Sequence, residues 1–381
     1  MSQEQSNQEL WTLGIEEEYL LVDRESGALA EDPPEEILLE CQRRHEGQVS
    51  PEFLRSQIEV GTEICRSLPE AREQLAALRS TIAEVAGEYG FAPIAASTHP
   101  FARWHQQKPT SKARYATLAS ELQGVGRRLV ICGMHIHVGV PDPEHRIDLM
   151  NQVRYFVPHI LAFSTSSPFW TGRDTGLKSY RLSVFDGLPR TGLPEPFDSY
   201  GHYERYCKTL VEAGIIADTS KLWWDVRPNA TFPTLEMRIA DVSTRLDDGL
   251  AIAALYICLI RCLTRLRRQN QRWRSYQSSL IAENRWRAQR YGLGEGLIDL
   301  GRRELVSWPQ LLDEFDELLR EDAAALGCEA ELAHLRVIHE QGTSAHRQLD
   351  TFYRLQSEGA SEDEALRGVV QQLIRETVEG L

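Results

Sequence analysis

The order of segments in this 381-residue chain predicts an α+β fold, with strands set apart by helices and long loops. Three observations carry that expectation. Short segments with period-two alternation lie between stretches of helical spacing, five of these segments pair an apolar side with a charged side, and everything after about Ser307 reads as helix. At 42% hydrophobic residues the chain can bury a large core. No repeat and no clean linker divides it, so 11–381 reads as one domain with a helical C-terminal part from about 307, behind a loose polar tail at 1–10.

The first strand is TLGIEEEYLLVD, in which Glu16 and Glu18 point to one face and Glu17 joins Ile15, Tyr19 and Leu21 on the other. Carboxylates side by side resist ionising in a half-buried place, and a hard cation between them removes that penalty. A solvated charged edge fits the same residues. In SQIEVGT, Glu59 opposes Ile58 and Val60. The spacing of Leu68, Ala71, Leu75, Leu78, Ile82 and Val85 predicts a helix over about 67–89, and further helices are expected over 111–126, 144–165, 202–214 and 246–270.

LVICGMHIHVGV has an unbroken apolar face, Val130 to Val140 in steps of two, while His135 and His137 share the other face with Gly133 and Gly139. Glycines there would let a ligand approach the backbone. Histidines so placed ligate a metal, contact phosphate or simply hydrogen-bond in a core. The loop from Gly187 to Ser199, with its PRTGLPEP run, reads as a lid. In LWWDVRPN, Asp225 and Arg227 oppose Leu222, Trp224 and Val226, and in PTLEMRIADV, Glu236 and Arg238 oppose Leu235, Met237 and Ile239. Ser361 and Glu364 form a capping box for the last helix.

If the five segments belong to one sheet, helices cover its apolar back and the front is a charged reaction surface. A mostly carboxylate cluster with one histidine suits magnesium or manganese better than zinc, and two or more such ions with arginines clamp a transferring phosphoryl group. Other classes drop out. A formal net charge of −14 argues against nucleic acid. Seven cysteines without a C-x-x-C pair argue against a disulfide framework or zinc and for a reducing cytoplasm. The polar N-terminus is no ordinary signal peptide, and the apolar run AIAALYICLI from Ala251 is too short to span a bilayer. No P-loop, Rossmann fingerprint or nucleophile elbow occurs. The stretch 261–290 holds nine arginines, which read as a helix with an exposed charged face or as groups reaching a nucleotide through Arg285, Arg287 and Arg290.

The motifs GIEEEYLLVD, QIEVGTEICRSL, STHPF, GMHIHVGV, SSPFW, WWDVRPN, LEMRIADVSTRLDD, RYGL and GTSAHRQL, in that order from about Thr12 to Gly359, resemble the YbdK-type carboxylate–amine ligases. This is the glutamate–cysteine ligase type 2 family of the glutamine synthetase-like superfamily. The resemblance implies a catalytic domain built on an antiparallel sheet curved into a funnel and backed by helices. It implies two or more Mg2+ (or Mn2+) ions and ATP as co-substrate. Its reaction joins a small-molecule carboxylate to an amine through an acyl phosphate, most simply glutamate to cysteine. Neither nucleic acid nor membrane is implied as a partner, and related proteins suggest a homodimer.

By position, the resemblance makes Glu16, Glu18, Glu52, Glu59, His135 and Glu236 metal ligands and Arg238 and Glu236 the catalytic pair. His137, Arg238 and Arg290 would meet nucleotide phosphate, and Arg181 and Arg227 substrate. Glu52 and His346 stand where the family often has aspartate. A phosphokinase of the related guanidino-kinase type, and a relative that binds nucleotide and metal without turnover, are the rival readings.

Overall fold

The computed structural model describes residues 11–111 and 121–381. Its centre is a seven-stranded antiparallel sheet of β1 (Leu13–Asp23), β2 (Val49–Pro51), β3 (Gln57–Gly61), β4 (Phe91–Ile94), β5 (Met134–Gly139), β10 (Val226–Pro228) and β11 (Thr234–Met237). The order is β10-β11-β5-β1-β3-β2, and β4 takes the far end of β1 on the edge it shares with β5. Two short ladders lie outside this sheet, β6–β7 (Phe169–Trp170 with Arg173–Asp174) and the parallel β8–β9 (Thr191–Gly192 with Trp223–Trp224). A hairpin, β12–β13, pairs Leu297–Asp299 with Glu304–Val306.

Helices cover the apolar back. Before the C-terminal part the described helices include α1 (Glu35–Arg44), α2 (Leu68–Glu88), α3 (Pro143–Val153), α4 (Val157–Ser164), α5 (Tyr180–Phe185), α6 (Tyr200–Glu212), α7 (Leu246–Arg268) and α8 (Ser278–Tyr291), and not all of them lie on the sheet. α2 lies on β1 and β4, α7 on β5, and α3 on β10 and β11. The C-terminal part is α9 (Trp308–Leu326), α10 (Glu329–Gln341), α11 (Ser344–Ser357) and α12 (Glu362–Thr377). α9 and α10 pack on α7, and α12 on β4. One hydrophobic cluster runs from Leu13 to Leu373 through all of these elements. The Ser361–Glu364 capping box is formed, with each side chain accepting the other's backbone N–H at 2.8–3.3 Å.

Several expectations need correction. The helix expected over 111–126 is described only from 121 onward, where 121–126 is helical; the tail at 1–10 also lies outside the described residues. The stretch 144–165 is two helices joined by a 3-10 turn at Arg154–Phe156, because Pro158 has no N–H to continue the ladder. AIAALYICLI belongs to a 23-residue helix, long and apolar enough to cross a membrane, so the length argument against a span fails. Burial replaces it, since 83% of its apolar window is packed inside the protein. The arginine-rich segment is the end of α7, an irregular stretch and α8. The expected lid is tied at both ends. Thr191–Gly192 pairs with β9, and Phe197 exchanges backbone hydrogen bonds with the Asn151 side chain at 2.7 and 3.1 Å.

Candidate active site

Directly opposed residues of an antiparallel pair share a face, so the sheet register states which charged groups meet. Glu59 lies between Glu18 and Ser50, Glu16 between His135 and Gly61, and Glu236 between His137 and Arg227. Six strands thus deliver polar residues to one surface. Glu17, turned to the back, is fully buried and held by Arg79 at 2.7 and 2.9 Å and by the Tyr19 hydroxyl. Arg79 completes its fork on the carbonyls of Ser243 and Thr244 at 3.0 and 2.7 Å. This is a structural ion pair inside the core.

On the front, one donor atom each of Glu16, Glu59 and His135 lies within 4.8 Å of the others. His135 Nδ1 is 3.0 Å from Glu16, and its Nε2 is 4.0 Å from Glu18. Glu52, just past β2, lines the same cavity. Burial, and then the charges of Glu52 and Glu59, push the Glu18 carboxyl well above the usual range. Burial, Glu16 and Glu52 push Glu59 up to about 8. Glu16 goes the other way: burial raises it, but His135 and His137 at its two oxygens outweigh that and hold it low. Burial, then Arg238, holds His135 down at about 4, so the imidazole is neutral and can offer a lone pair. Acids that strain against one another beside a neutral imidazole fit a hard divalent cation, and the oxygen-rich donor set fits magnesium or manganese.

Glu236 sits in a different cluster. Arg227 binds it through Nε and Nη2 at 3.0 and 3.2 Å, Asn229 donates at 2.8 Å, and Arg238 donates through Nη1. Four nitrogens therefore occupy a carboxylate with about four acceptor positions. Burial raises its pKa, but Arg238 and Arg227 draw it well below the usual range. Glu236 is not among the three grouped donors, and its oxygens are committed to nitrogen here. Arg238 keeps a buried Nε without a hydrogen-bond partner among the described residues. Arg227 also donates to the Ser220 and Leu222 carbonyls at 2.8 and 2.6 Å.

Arg181 reaches the cavity and donates to the Ile239 and Arg238 carbonyls, both at 3.2 Å. Its guanidinium fills the space beside Gly133, where an added Cβ would stand 2.5 Å from Nη2; beside Gly139 the Thr12 hydroxyl does the same at 2.4 Å. The room these glycines provide is taken by the protein's own side chains, not left for a ligand. Asp241 stiffens the Arg181 segment by accepting from Ser166 N–H, Ser167 Oγ and Ser179 Oγ at 2.7–2.9 Å.

Other sequence-derived candidates fall elsewhere. Arg290 donates to the Gly176 carbonyl and is absent from the cavity wall. Arg285 is locked between Asp186 and Asp225, and Arg287 binds Gly296 O and Glu295. None of the three reaches the cavity wall. His137 is buried behind it, 3.3 Å from Glu16 and 3.2 Å from the Thr234 hydroxyl. His346 bonds Thr343 at 2.8 Å, packs on Gly292 and does not line the cavity. The cavity measures about 380 Å3 and adds residues not singled out from the sequence, Asn229, Lys221 and Gln57 among the polar ones and Phe53, Phe185, Leu188 and Trp223 among the apolar. Asn229 lies two residues past Arg227 in a quoted motif, and its neighbourhood was its only signal.

Comparison with known proteins bears on the same surface. The family model described as glutamate-cysteine ligase family 2 matches residues 12–375. A relative from Rhodospirillum rubrum, provisionally named glutamate–cysteine ligase 2, is 59% identical over 97% of this chain and 96% of its own. One of the same provisional name from Jannaschia is 54% identical over 97% of each. Among solved structures, glutamate–cysteine ligase from Francisella tularensis, in complex with AMP, matches with a TM-score of 0.66 at 14% identity, covering 97% of this chain and 89% of that one. A bifunctional glutathione synthetase from Pasteurella multocida gives 0.70 at 16%, covering 97% and 53%. At such identities these two establish the fold, an antiparallel sheet backed by helices. The chain belongs to glutamate–cysteine ligase family 2 and is an ATP-dependent ligase that forms a carbon–nitrogen bond between a carboxylate and an amine.

Proposed function

We propose that the substrates are glutamate and cysteine and the product γ-glutamylcysteine. The supporting observation is the meeting of two incomplete halves. Glu16, Glu59 and His135 are grouped closely enough to hold a cation, and beside His135, 3.4 Å from it, stands Arg238 with an unsatisfied buried N–H that calls for an anion. A buried donor left unpaired costs roughly 1–3 kcal/mol, which an entering phosphate oxygen would recover.

Glu16, Glu18, Glu52, Glu59 and His135 would hold two or more Mg2+ or Mn2+ ions. Bound there, the ions supply charge neutralisation for the β- and γ-phosphates of ATP. The side-chain carboxylate of glutamate attacks the γ-phosphorus and ADP leaves. The cysteine amine then attacks the acyl carbon, the bond from that carbon to the phosphate oxygen breaks, and phosphate departs while the amine loses a proton. Arg238 stabilises the phosphoryl oxygens, while His137, behind the cavity wall, helps keep Glu16 ionised. Glu236 aims Arg238 and Arg227; it can join the ion site itself only by releasing a nitrogen donor. Arg181 keeps the backbone of Arg238 in place. The protein has little covalent work to do beyond alignment and charge. Seven free, buried cysteines suit a reducing compartment, and we assign the enzyme to the cytoplasm.

The test supplies ATP and Mg2+ with glutamate, cysteine, both or neither, and follows ADP, free phosphate and product mass. The proposal expects phosphate and γ-glutamylcysteine only when both are present. ADP without free phosphate would mark a kinase. Nucleotide binding with no turnover across a wider panel of acids and amines would mark a binding protein.

A further inference from the structure

Lys221 differs from the other cations of the cavity wall. Arg227 and Arg181 direct their donors to protein acceptors, and Arg238 faces Glu236. The backbone under Lys221 is fixed by two guanidiniums. Arg227 Nη1 donates to the carbonyls of Ser220 and Leu222 at 2.8 and 2.6 Å, and Arg190 Nε donates to that of Lys221 at 3.0 Å. Arg190 in turn lies over the Trp223 ring, 5.5 Å from its centroid. Three successive carbonyls are thus anchored, and Arg227 connects them to Glu236 and so to Arg238.

The Lys221 ammonium itself is lightly held. It pairs with Glu121 at 3.1 Å, and that carboxylate is 54% exposed while the lysine is 18% exposed. Ion pairs with an exposed partner contribute little, so another carboxylate could replace Glu121 at small cost. The lining of the cavity also includes Phe185, Leu188 and Trp223, whose apolar surface strengthens any ion pair formed against it. On the proposed reading the ions held by the acids, with Arg238, take the nucleotide's phosphates, which leaves Lys221 for a charge of the substrates.

We propose that Lys221 is a specificity-determining residue that binds a non-reacting α-carboxylate of an amino-acid substrate. This deepens the ligase reading and rests on it. Two sources share the chemistry, the acid substrate and the amine substrate, and an experiment with two arms separates them. One arm compares glutamate with 4-aminobutyrate, which lacks the α-carboxylate; the other compares cysteine with cysteamine. Wild type, K221Q and K221R are assayed for ATP-dependent amide formation. In one arm, K221Q should raise KM for the amino acid at least tenfold and erase its advantage over the truncated analogue. KM for ATP and for the other substrate should stay within about twofold, and K221R should recover part of the selectivity. Unchanged selectivity in both arms, or a parallel rise in every KM as a folding defect would give, overturns the assignment. Amide formation by neither acid with either amine in the wild type would sink the glutamate–cysteine reading, and the role of Lys221 with it.

Discussion

Glu16, Glu17 and Glu18 are adjacent and chemically identical, yet each meets a different environment. Glu17 faces the core, where Arg79 neutralises it. Glu16 is kept ionised by two histidines, and Glu18 is crowded by Glu52 and Glu59 and tends toward its protonated form. Glu59 offers the clearest measurement. Burial, with Glu16 and Glu52, raises it from 4.5 to about 8, so between those values the native protein holds a proton that the unfolded chain does not. That contribution to stability is present below 4.5 and is lost as the pH rises through 8. A divalent ion bound at Glu59 must displace this proton. Mg2+ affinity is therefore expected to rise at least about tenfold per pH unit between 6 and 7.5, since Glu18 gives up its proton as well, with proton release on binding. Titration calorimetry in buffers of different ionisation enthalpy measures both. E59Q should bind the ion more weakly and flatten the slope; equal affinity at pH 6 and 7.5 would contradict the account.

At the level of strands and helices, period-two alternation was a dependable guide. It placed Glu16, Glu18, Glu59, His135 and Glu236 on one side of their strands, and the sheet register then set them in adjoining rows. Helical spacing likewise anticipated α2 and α7. Two kinds of information were missing. Alternation gives a face but not a partner, so it could not tell that Glu236 is saturated by two arginines and Asn229, or that Arg285, Arg287 and Arg290 spend their charge away from the cavity. Nor does a glycine in a strand say what occupies the space it leaves. Gly133, one residue before β5, makes room for the Arg181 guanidinium, which is buried and held by two carbonyls. G133A should push that group off the Arg238 and Ile239 carbonyls, lower kcat/KM at least tenfold and reduce the melting temperature by a few degrees. Kinetics equal to wild type would show that Arg181 has slack and does not govern Arg238.

The assembled protein also carries an acid sensitivity that lies outside the active site. His99, from the STHPF motif, is buried with Nε2 donating to the Gly27 carbonyl at 2.9 Å, while Nδ1 accepts the N–H groups of Phe101 and Ala102 at 3.2 and 3.0 Å. Protonating Nδ1 would break both of the latter contacts. Burial holds this histidine at about 4; it holds His159, packed among Tyr155, Phe156 and Phe315, at about 4 as well. His346 is lowered to about 4 by burial and then by Lys178 and Arg347. The unfolded chain protonates these rings near 6.5, so between 6.5 and 4 it binds more protons than the native state, and stability falls as the pH falls. Each ring accounts for up to about 1.4 kcal/mol per pH unit in that window. The strained carboxyls of Glu18 and Glu59 act in the opposite direction, because they take up protons in the folded state as the pH drops. Saturating Mg2+ should suppress that opposing effect, so the experiment is a set of urea unfolding curves at pH 7 and 5.5 with and without the ion. The midpoint is expected to fall on acidification, more steeply with Mg2+ present than without it, and H99F should reduce the slope by about one histidine's share. A midpoint that stays level with Mg2+ bound would mean these rings accept protons inside the fold, and the neutral tautomer assigned to His99 would be wrong.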